Sequence, residues 1–387
     1  YGVAYKDEGV KTEYNYKSEE GFEAAVHMCS GVGECRKVLG GTMCPSFKAT
    51  RDEEHSTRGR ANALRLAMSN QLGEKGLSSK RLHEVMDLCL SCKACKSECP
   101  SNVDMAKMKS DALQMYYDEH GISLRDKLIR DSAKAASKIS GSKAGLVNAI
   151  QKTDLFKFFL EKAARFDKRR TLPDFAKEPF YKWFKKNARE TNIGNKKVVL
   201  FADTYLNYHE PHIGISALEL LNSCGYEVIL ANVGCCQRPK ISHGFLRDAK
   251  QEGIKTIDGL KPFLDQGLKV VVCEPSCASA LNDDLPDLIT DQAIAEQLKN
   301  GVMMIDVFLA DCAEHGIELA ENIIDAKFES LEGDIVGLSY AKENDQLIKI
   351  KVDPKAWSLS SEPKRWYLIY HELGHDVLNL DHGNGGK

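Results

Sequence analysis

Four cysteines between positions 89 and 99 constrain this chain more than any other feature. They follow the spacing C-x2-C-x2-C-x3-C-P, in the run Cys89-Leu90-Ser91-Cys92-Lys93-Ala94-Cys95-Lys96-Ser97-Glu98-Cys99-Pro100. Three thiolates at intervals of three residues can surround one cuboidal iron–sulfur cluster, while the fourth, fixed by a proline, turns toward a neighbouring cluster. Thiolates suit iron because they are soft, charged donors. The pattern therefore predicts a 4Fe–4S site in preference to a zinc knuckle or a disulfide pair.

A second cysteine group lies upstream and repeats the pattern incompletely. Cys29 and Cys35 take the first and third places, Val32 stands at the second, and Cys44-Pro45 follows after a longer insert. Two-cluster proteins exchange their fourth ligands, so the principal cluster is predicted at Cys89, Cys92, Cys95 and Cys44. A second iron–sulfur site then has only Cys29, Cys35 and Cys99. It could hold a three-iron cluster, recruit His27 or another ligand, or stay empty.

The composition is that of a soluble globular protein without a nucleic-acid partner. The chain has 387 residues, enough for two or three domains, and a formal net charge of −3. Its 13 cysteines cluster at metal-ligand spacing, which predicts a reducing cytoplasm rather than a disulfide-bonded secreted protein. We expect no signal peptide and no transmembrane segment, since no apolar run approaches ~18 residues. Because the chain starts at Tyr1, we expect a fragment or a processed product.

The order of patterns predicts a multidomain α/β protein. Residues 1–124 hold both cysteine groups and helical stretches, including one over residues 56–68, and predict a helical 4Fe–4S ferredoxin-type domain. Residues 125–195 are basic and rich in aromatic side chains. This segment could form a docking or membrane-surface face, or it could be a helical connector between domains. We favour the connector, because the charges form no dense block. Residues 196–300 alternate strands with helices and predict a parallel sheet.

Four further cysteines follow strands of this α/β segment. Cys235-Cys236 comes after the strand predicted at 227–230, and Cys273 and Cys277 come after the one predicted at 268–272. Parallel sheets place their sites at such strand ends. The four thiols could bind a metal or an unusual iron–sulfur cluster, or they could be buried structural cysteines.

Three runs around the first cysteine group carry a family resemblance: Met28–Lys37, Met43–Phe47 and Ala49–Arg65. They resemble the iron–sulfur half of FAD-linked D-2-hydroxy-acid dehydrogenases, particularly the D-2-hydroxyglutarate type, and the resemblance extends to about residue 300. Residues 196–300 resemble that family's cysteine-rich CCG-type domain, except that Gln237 stands where the family has glycine.

The resemblance implies an oxidoreductase component that passes electrons from a flavin to a quinone or a soluble carrier. The FAD would belong to a missing domain or a partner dehydrogenase subunit. The positive charges of Arg36, Lys37 and Lys93 would help to set the cluster potential. We expect a cytoplasmic location, which leaves room for peripheral attachment at the inner membrane face.

A separate motif near the end of the chain predicts a different chemistry. It reads His371-Glu372-Leu373-Gly374-His375, followed by Asp381-His382. Histidines four apart on a helix share one face and can bind one zinc, and the glutamate between them can activate a zinc-bound water. Residues 301–387 thus resemble a small α+β fragment of a zincin metallopeptidase, with zinc at His371, His375 and His382 and Glu372 as the catalytic base. The alternative function is therefore a zinc-dependent peptidase, unless the histidines are incidental.

Overall fold

The structure, a computed structural model, describes residues 9–73, 75–188, 192, 194 and 196–314, and three later strands at 324–328, 337–340 and 348–352. The contacts divide the chain into two compact units, residues 1–308 and 309–387. Among the described residues, no helix combines the length and the apolar character needed to cross a membrane.

Six short helices carry the cysteine-rich segment. Helices α1 to α6 are Phe22–His27, Pro45–Thr50, Thr57–Met68, Lys80–Asp87, Ala94–Glu98 and Met105–His120. Helix α3 confirms the helix predicted over residues 56–68. Ser56 caps it, since its hydroxyl accepts a hydrogen bond from the Gly59 backbone N–H at 2.9 Å. Its buried stripe includes Ala61, Leu64 and Met68, which fixes the face that it turns inward.

Five helices form the basic, aromatic-rich segment. Helices α7 to α11 are Leu124–Arg130, Ser132–Ile139, Ala144–Gln151, Asp154–Ala164 and Phe180–Asn187. The aromatic side chains of this segment divide into two groups. Phe180 of α11 is fully buried, whereas Phe158 and Phe159 of α10 remain 49% and 60% exposed. Packing against neighbouring elements, the role that we expect of a connector, therefore accounts for only some of them.

A four-stranded parallel sheet, in the order β2-β1-β3-β4, organises the α/β segment. Strands β1 to β4 are Lys196–Phe201, Tyr226–Ala231, Val270–Val272 and Val302–Met304. The last four residues of β1 are all buried, as expected of a parallel strand covered on both faces. The prediction of a parallel sheet is thus confirmed. The fourth strand begins at Val302, beyond the predicted limit of this segment.

Helices connect these strands and cover the sheet. Helices α12 to α19 are Thr204–Tyr208, Pro211–Ser223, Arg238–Ser242, Leu246–Leu264, Pro275–Ser279, Leu285–Leu288, Gln292–Gly301 and Ile305–Glu314. A single π-helical turn, Ala280–Asp284, joins α16 to α17.

The cysteine-rich and α/β segments share one hydrophobic core. A continuous cluster of buried residues includes Tyr14 and Phe47 from the first segment and Phe201 and Leu260 from the second. Charged side chains also join the two segments. Lys107 Nζ lies 2.7 Å from an oxygen of Asp287, so this ion pair joins α6 of the cysteine-rich segment to α17 of the α/β segment.

The second unit contains a small mixed sheet. Its strands are β5 (Ile324–Phe328), β6 (Gly337–Tyr340) and β7 (Ile348–Val352), and β7 pairs parallel with β5 and antiparallel with β6. The predicted zinc residues His371, Glu372, His375 and His382 lie outside the described residues.

Candidate iron–sulfur centres

One cavity gathers the four cysteines predicted for the principal cluster. This main cavity is lined by Cys44, Cys89, Cys92 and Cys95, together with residues that include Arg60 and Ser91. The cysteines come from different local structures, because Cys44 precedes α2, Cys95 lies within α5, and Cys89 and Cys92 lie in the loop between α4 and α5.

Local backbone geometry turns the loop thiols toward the same point. Ser91 and Lys93 adopt left-handed conformations, with φ of 53° and 60°. Such residues reverse the chain direction within a few positions. The upstream cysteine is brought in separately, since the Glu98 carboxylate accepts hydrogen bonds from the backbone N–H groups of Thr42 (2.7 Å) and Met43 (3.0 Å). These bonds fix the segment before Cys44 against α5.

A second cavity gathers the three remaining cysteines of the two motifs. It is lined by Cys29, Cys35 and Cys99, with Val32 between two glycines on its wall. Val32 is 66% exposed, so the corner where a fourth cysteine would stand is open to solvent. His27, a candidate fourth ligand, does not line this cavity, and its Nδ1 instead lies 3.4 Å from Nε of Arg65.

A single metal ion and an iron–sulfur cluster need different spacings between their thiolate ligands. Within the described part of the chain, no three His, Cys, Asp or Glu side chains stand close enough together to bind one metal ion. Ligands of a single zinc all lie within bonding distance of one centre. Each thiolate of a cuboidal cluster binds a different iron and stands farther from its neighbours. The motif spacing and the shared cavities, rather than this absence, are what favour clusters over the zinc knuckle.

Burial opposes ionisation of most of these thiols. It raises the pKa of Cys95 to about 12, with a further contribution from Asp104, and it also raises the pKa of Cys92 and Cys35. Cys44 differs. Its burial is outweighed by a hydrogen bond with Ser46 and by the charge of Arg60, so its pKa is lowered. Since ligating cysteines must lose their protons, cluster assembly here would release protons.

Two polar side chains at the main cavity have unused hydrogen-bonding groups. Nη2 of Arg60 and Oγ of Ser91 are both buried and have no hydrogen-bond partner among the residues that the structure describes. Buried donors are nearly always paired in folded proteins. The sulfides and thiolates of a cluster accept such bonds. The residues of the main cavity therefore fit an iron–sulfur cluster.

The three basic side chains that we expect to influence the reduction potential of the cluster each lie next to a carboxylate. Lys93 contacts Asp283 and lies 2.8 Å from Asp284, and these partners raise its pKa against the effect of burial. Arg36 pairs with Glu53 at 2.9 Å, and Lys37 pairs with Glu34. Their positive charges are therefore largely offset by nearby negative ones.

The cysteines of the α/β segment are only partly brought together. Sγ of Cys236 lies 2.8 Å from Sγ of Cys277, and Cys235 interacts with Cys236. Cys273 is half-buried near Asp203 and Glu274, and desolvation followed by these two charges raises its pKa. The structure thus links three of the four predicted thiols by pairwise contacts, without forming a site for a single metal ion among the described residues.

Gln237 occupies the position where the resembling family has glycine, and it adopts a glycine-like backbone. Its φ is 67°, in the left-handed region that costs a residue with a Cβ some strain. Its side chain supports the turn, since Nε2 donates to the Cys235 carbonyl at 2.8 Å and Oε1 accepts from Lys240 at 2.7 Å. The turn after the cysteine pair is therefore kept without the glycine.

Residues 25–103 match a family model described as a 4Fe-4S dicluster domain. The match spans both cysteine groups and confirms the prediction of an iron–sulfur segment. No solved structure matches this chain.

Three curated relatives share parts of the sequence. D-2-hydroxyglutarate dehydrogenase of Pseudomonas putida is 28% identical over 300 residues, which cover 66% of this chain and 29% of the relative. One subunit of the anaerobic glycerol-3-phosphate dehydrogenase of Escherichia coli is 27% identical over 192 residues, which cover 49% of this chain and 48% of the relative. A probable glycolate oxidase iron-sulfur subunit of Bacillus subtilis is 23% identical over 242 residues, which cover 59% and 51%. The matches thus cover about half or less of each relative.

Proposed function

We propose that this chain is the iron–sulfur electron-transfer part of an FAD-linked D-2-hydroxy-acid dehydrogenase. The observation that carries the proposal is the pair of cysteine-lined cavities within one helical segment. Cys44, Cys89, Cys92 and Cys95 would hold the principal 4Fe–4S cluster. A cluster supplies one-electron transfer, whereas the hydride chemistry of such substrates belongs to the flavin.

The partner would be a flavoprotein domain or subunit, and the acceptor a quinone or a soluble carrier. The names of the three relatives support this, since two are dehydrogenases or parts of one and the third is an iron–sulfur subunit of an oxidase. The involvement of a flavin is inferred from the sequence resemblance to FAD-linked enzymes. The residues that line the main cavity would bind the cluster, exclude water from it and fix its orientation relative to the partner.

The second cavity would hold a cluster with three cysteine ligands, Cys29, Cys35 and Cys99. The family match describes a segment for two clusters. The exposed Val32 leaves one corner of this cavity without a thiol. We therefore propose a three-iron cluster, or a four-iron cluster whose last iron is bound by solvent, at this site.

Contact with the inner membrane face is supported by the surface of α10. Its residues Leu155, Phe158 and Phe159 are 66%, 49% and 60% exposed, and their spacing places them on one helical face. Lys162 lies beside them, with Nζ 5.8 Å from the ring of Phe158. Exposed apolar side chains flanked by lysines suit the interface of a bilayer with anionic lipids. This surface would bring the clusters near a membrane-borne quinone.

A metal or cluster at Cys235, Cys236, Cys273 and Cys277 stays a prediction, because only three of these thiols lie together. Zinc at His371, His375 and His382, with Glu372 as the base, also stays a prediction. Neither the matched family model nor the name of any reported relative indicates a peptidase. The electron-transfer function therefore ranks first.

The test is anaerobic purification with iron, sulfide and zinc measured per chain. We expect iron and acid-labile sulfide, with reduction of the clusters by a photoreduced flavin. Cys92→Ser should abolish the signal of the principal cluster and lower the stability of the segment, because metal binding is coupled to folding. Cys224→Ser is the control, since Cys224 is a cysteine at the end of α13 that lines neither cavity. A folded chain without iron after anaerobic reconstitution would overturn the proposal.

A further inference from the structure

We propose that Arg60 is the buried counter-charge of the principal cluster, which it holds through Nη2 and whose reduced state it stabilises. This inference rests on the proposed function, because it requires a cluster in the main cavity. It goes further by assigning a positioning role to a residue that belongs to neither cysteine motif. Four observations carry it: burial, fixed orientation, an unused donor and the absence of a carboxylate partner among the described residues.

Arg60 lies on α3, between the two cysteine groups, and is 0% exposed. Two hydrogen bonds fix its guanidinium: Nε donates to the Val85 carbonyl at 3.1 Å and Nη1 donates to the His55 carbonyl at 2.7 Å. Nη1 also lies 3.6 Å from Sγ of Cys44, a predicted cluster ligand. The cation is therefore held at the wall of the main cavity, against one of the thiols.

The remaining nitrogen has no partner in the described part of the protein. Nη2 of Arg60 is buried and unbonded, and so is Oγ of Ser91 on the same cavity. An unpaired buried donor is costly, and folded proteins keep very few of them. Two such groups on one cavity indicate that the cavity binds a group with several hydrogen-bond acceptor atoms. The sulfides of a cluster are acceptors of this kind.

The charge of Arg60 is also uncompensated within the described residues. Its hydrogen-bond partners are two carbonyls and a thiol. Arg58, two residues earlier on the same helix, instead bonds the Glu53 carboxylate through Nε at 2.8 Å and Nη2 at 3.1 Å. A buried cation without a counter-ion is strongly unfavourable. A thiolate-bound cluster is anionic and would supply the missing negative charge.

The same charge bears on the reduction potential. Reduction adds one negative charge to the cluster, so a nearby buried cation stabilises the reduced form more than the oxidised form. Lys93 can contribute less, because two carboxylates offset its charge. Lys109 donates to the Cys89 carbonyl and, unlike Arg60, does not line the main cavity. Arg60 is therefore the cation that we expect to raise the potential of the principal cluster most.

The experiment compares wild type with Arg60→Gln, Arg60→Lys and the control Arg58→Gln in EPR-monitored redox titrations. Arg60→Gln should lower the reduction potential of the principal cluster by at least about 59 mV. For a one-electron couple, this equals a roughly tenfold shift in the ratio of oxidised to reduced cluster at a fixed potential. Arg60→Lys keeps the charge and should restore most of the potential. Arg58→Gln should leave the principal cluster unchanged, because Arg58 lines the other cavity and is paired with Glu53.

A stability measurement separates this role from a merely structural one. Arg60→Gln should lose iron to a chelator faster than wild type, yet its apoprotein should unfold at a higher temperature, because a buried charge has been removed. A residue that only supports the fold would destabilise both forms. The inference would be overturned if Arg60→Gln left the reduction potential unchanged. It would also be overturned if Arg60→Lys lowered the potential as much as Arg60→Gln does. Either result would leave the electron-transfer function intact. Wild-type protein without a principal cluster would overturn both.

Discussion

Residue 32 is where the two cysteine-lined cavities differ most clearly. In the main cavity the second motif position is Cys92, and in the second cavity it is Val32. Gly31 and Gly33 flank Val32, both with φ of 81°, a conformation that favours glycine. The backbone around the open corner thus already turns sharply about the cavity, although the thiol is missing.

Val32→Cys should supply that thiol and complete the second site. We expect about one additional iron per chain after anaerobic reconstitution, and loss of the EPR signal of an oxidised three-iron cluster, because a fourth thiolate retains the fourth iron. Val38→Cys is the control, since Val38 is also exposed but does not line the cavity. Equal iron content and equal spectra in wild type and both variants would contradict the assignment of an open corner.

At the scale of elements, α6 is joined to the N-terminal segment by a buried carboxyl group. Asp111 of α6 accepts hydrogen bonds from the Glu13 backbone N–H at 2.8 Å and from the Tyr16 hydroxyl at 2.9 Å. Asp111 is 1% exposed, and its burial raises its pKa to about 7 from an ordinary value of 3.8. The native state therefore keeps a proton that the unfolded chain releases at lower pH.

Stability should consequently fall as the pH rises from about 4 to about 7, by up to about 4 kcal/mol for this group. The contribution is fully present below the ordinary pKa and is lost as the pH passes the raised one. Asp111→Asn resembles the protonated side chain and should remove this slope. The measurement is the unfolding temperature of wild type and variant at a fixed scan rate across this pH range. Asp258→Asn, at an exposed position, serves as the control. The expectation would be refuted if the unfolding temperatures of wild type and Asp111→Asn changed with pH in parallel.

The exposed face of α10 supports a prediction about lipid binding. Phe158→Glu should weaken binding to vesicles that contain phosphatidylglycerol, because it removes apolar area and adds a charge that anionic lipids repel. Sedimentation with vesicles, with and without anionic lipid, measures the effect. Ile254→Glu changes a similarly exposed apolar residue of α15 and should bind like wild type. If the two variants bind alike, α10 is not a lipid-binding surface.

At the scale of the first unit, a cluster of charges joins the cysteine-rich loop to the α/β segment. Lys93 adjoins Cys92, a predicted cluster ligand, and is 12% exposed, while Asp284 is 3% exposed and also lies 2.6 Å from Arg238. Arg238 follows the Cys235–Cys236 pair along the chain. This network thus ties the main cavity to the turn that carries the buried thiols.

Lys93→Met should lower the free energy of unfolding by about 3 kcal/mol, because it removes the most buried cation of this network and leaves Arg238 and Lys96 alone to balance Asp284 and Asp283. Lys96→Met is the matched control. Lys96 also contacts Asp283 but is 42% exposed, so its loss should cost at most about 1 kcal/mol. Denaturant unfolding of the cluster-loaded proteins measures both. A loss for Lys93→Met no larger than that for Lys96→Met would show that the network does not hold the segments together.

Local features of the sequence determined much of this protein. The division of seven cysteines between two cavities follows from their spacing and the two following prolines, because cluster ligation is largely a property of short chain segments. The pattern over residues 56–68 predicted α3, and the alternation of strands with helices over residues 196–300 predicted the parallel sheet. Val302–Met304 was missed as a strand of the sheet, because three apolar residues are too short a run to identify one.

The tertiary structure decided which charges act on the clusters. Sequence alone suggested Arg36, Lys37 and Lys93, because they stand beside cysteines. The partner of Lys93, Asp283, lies 190 residues along the chain, and no local pattern foretells that pairing. Arg60 looked like one arginine among several on a helix, until packing buried it without a carboxylate among the described residues. Spacing fixes which thiols can share a cluster, but the net charge around that cluster depends on contacts made only when distant segments pack together.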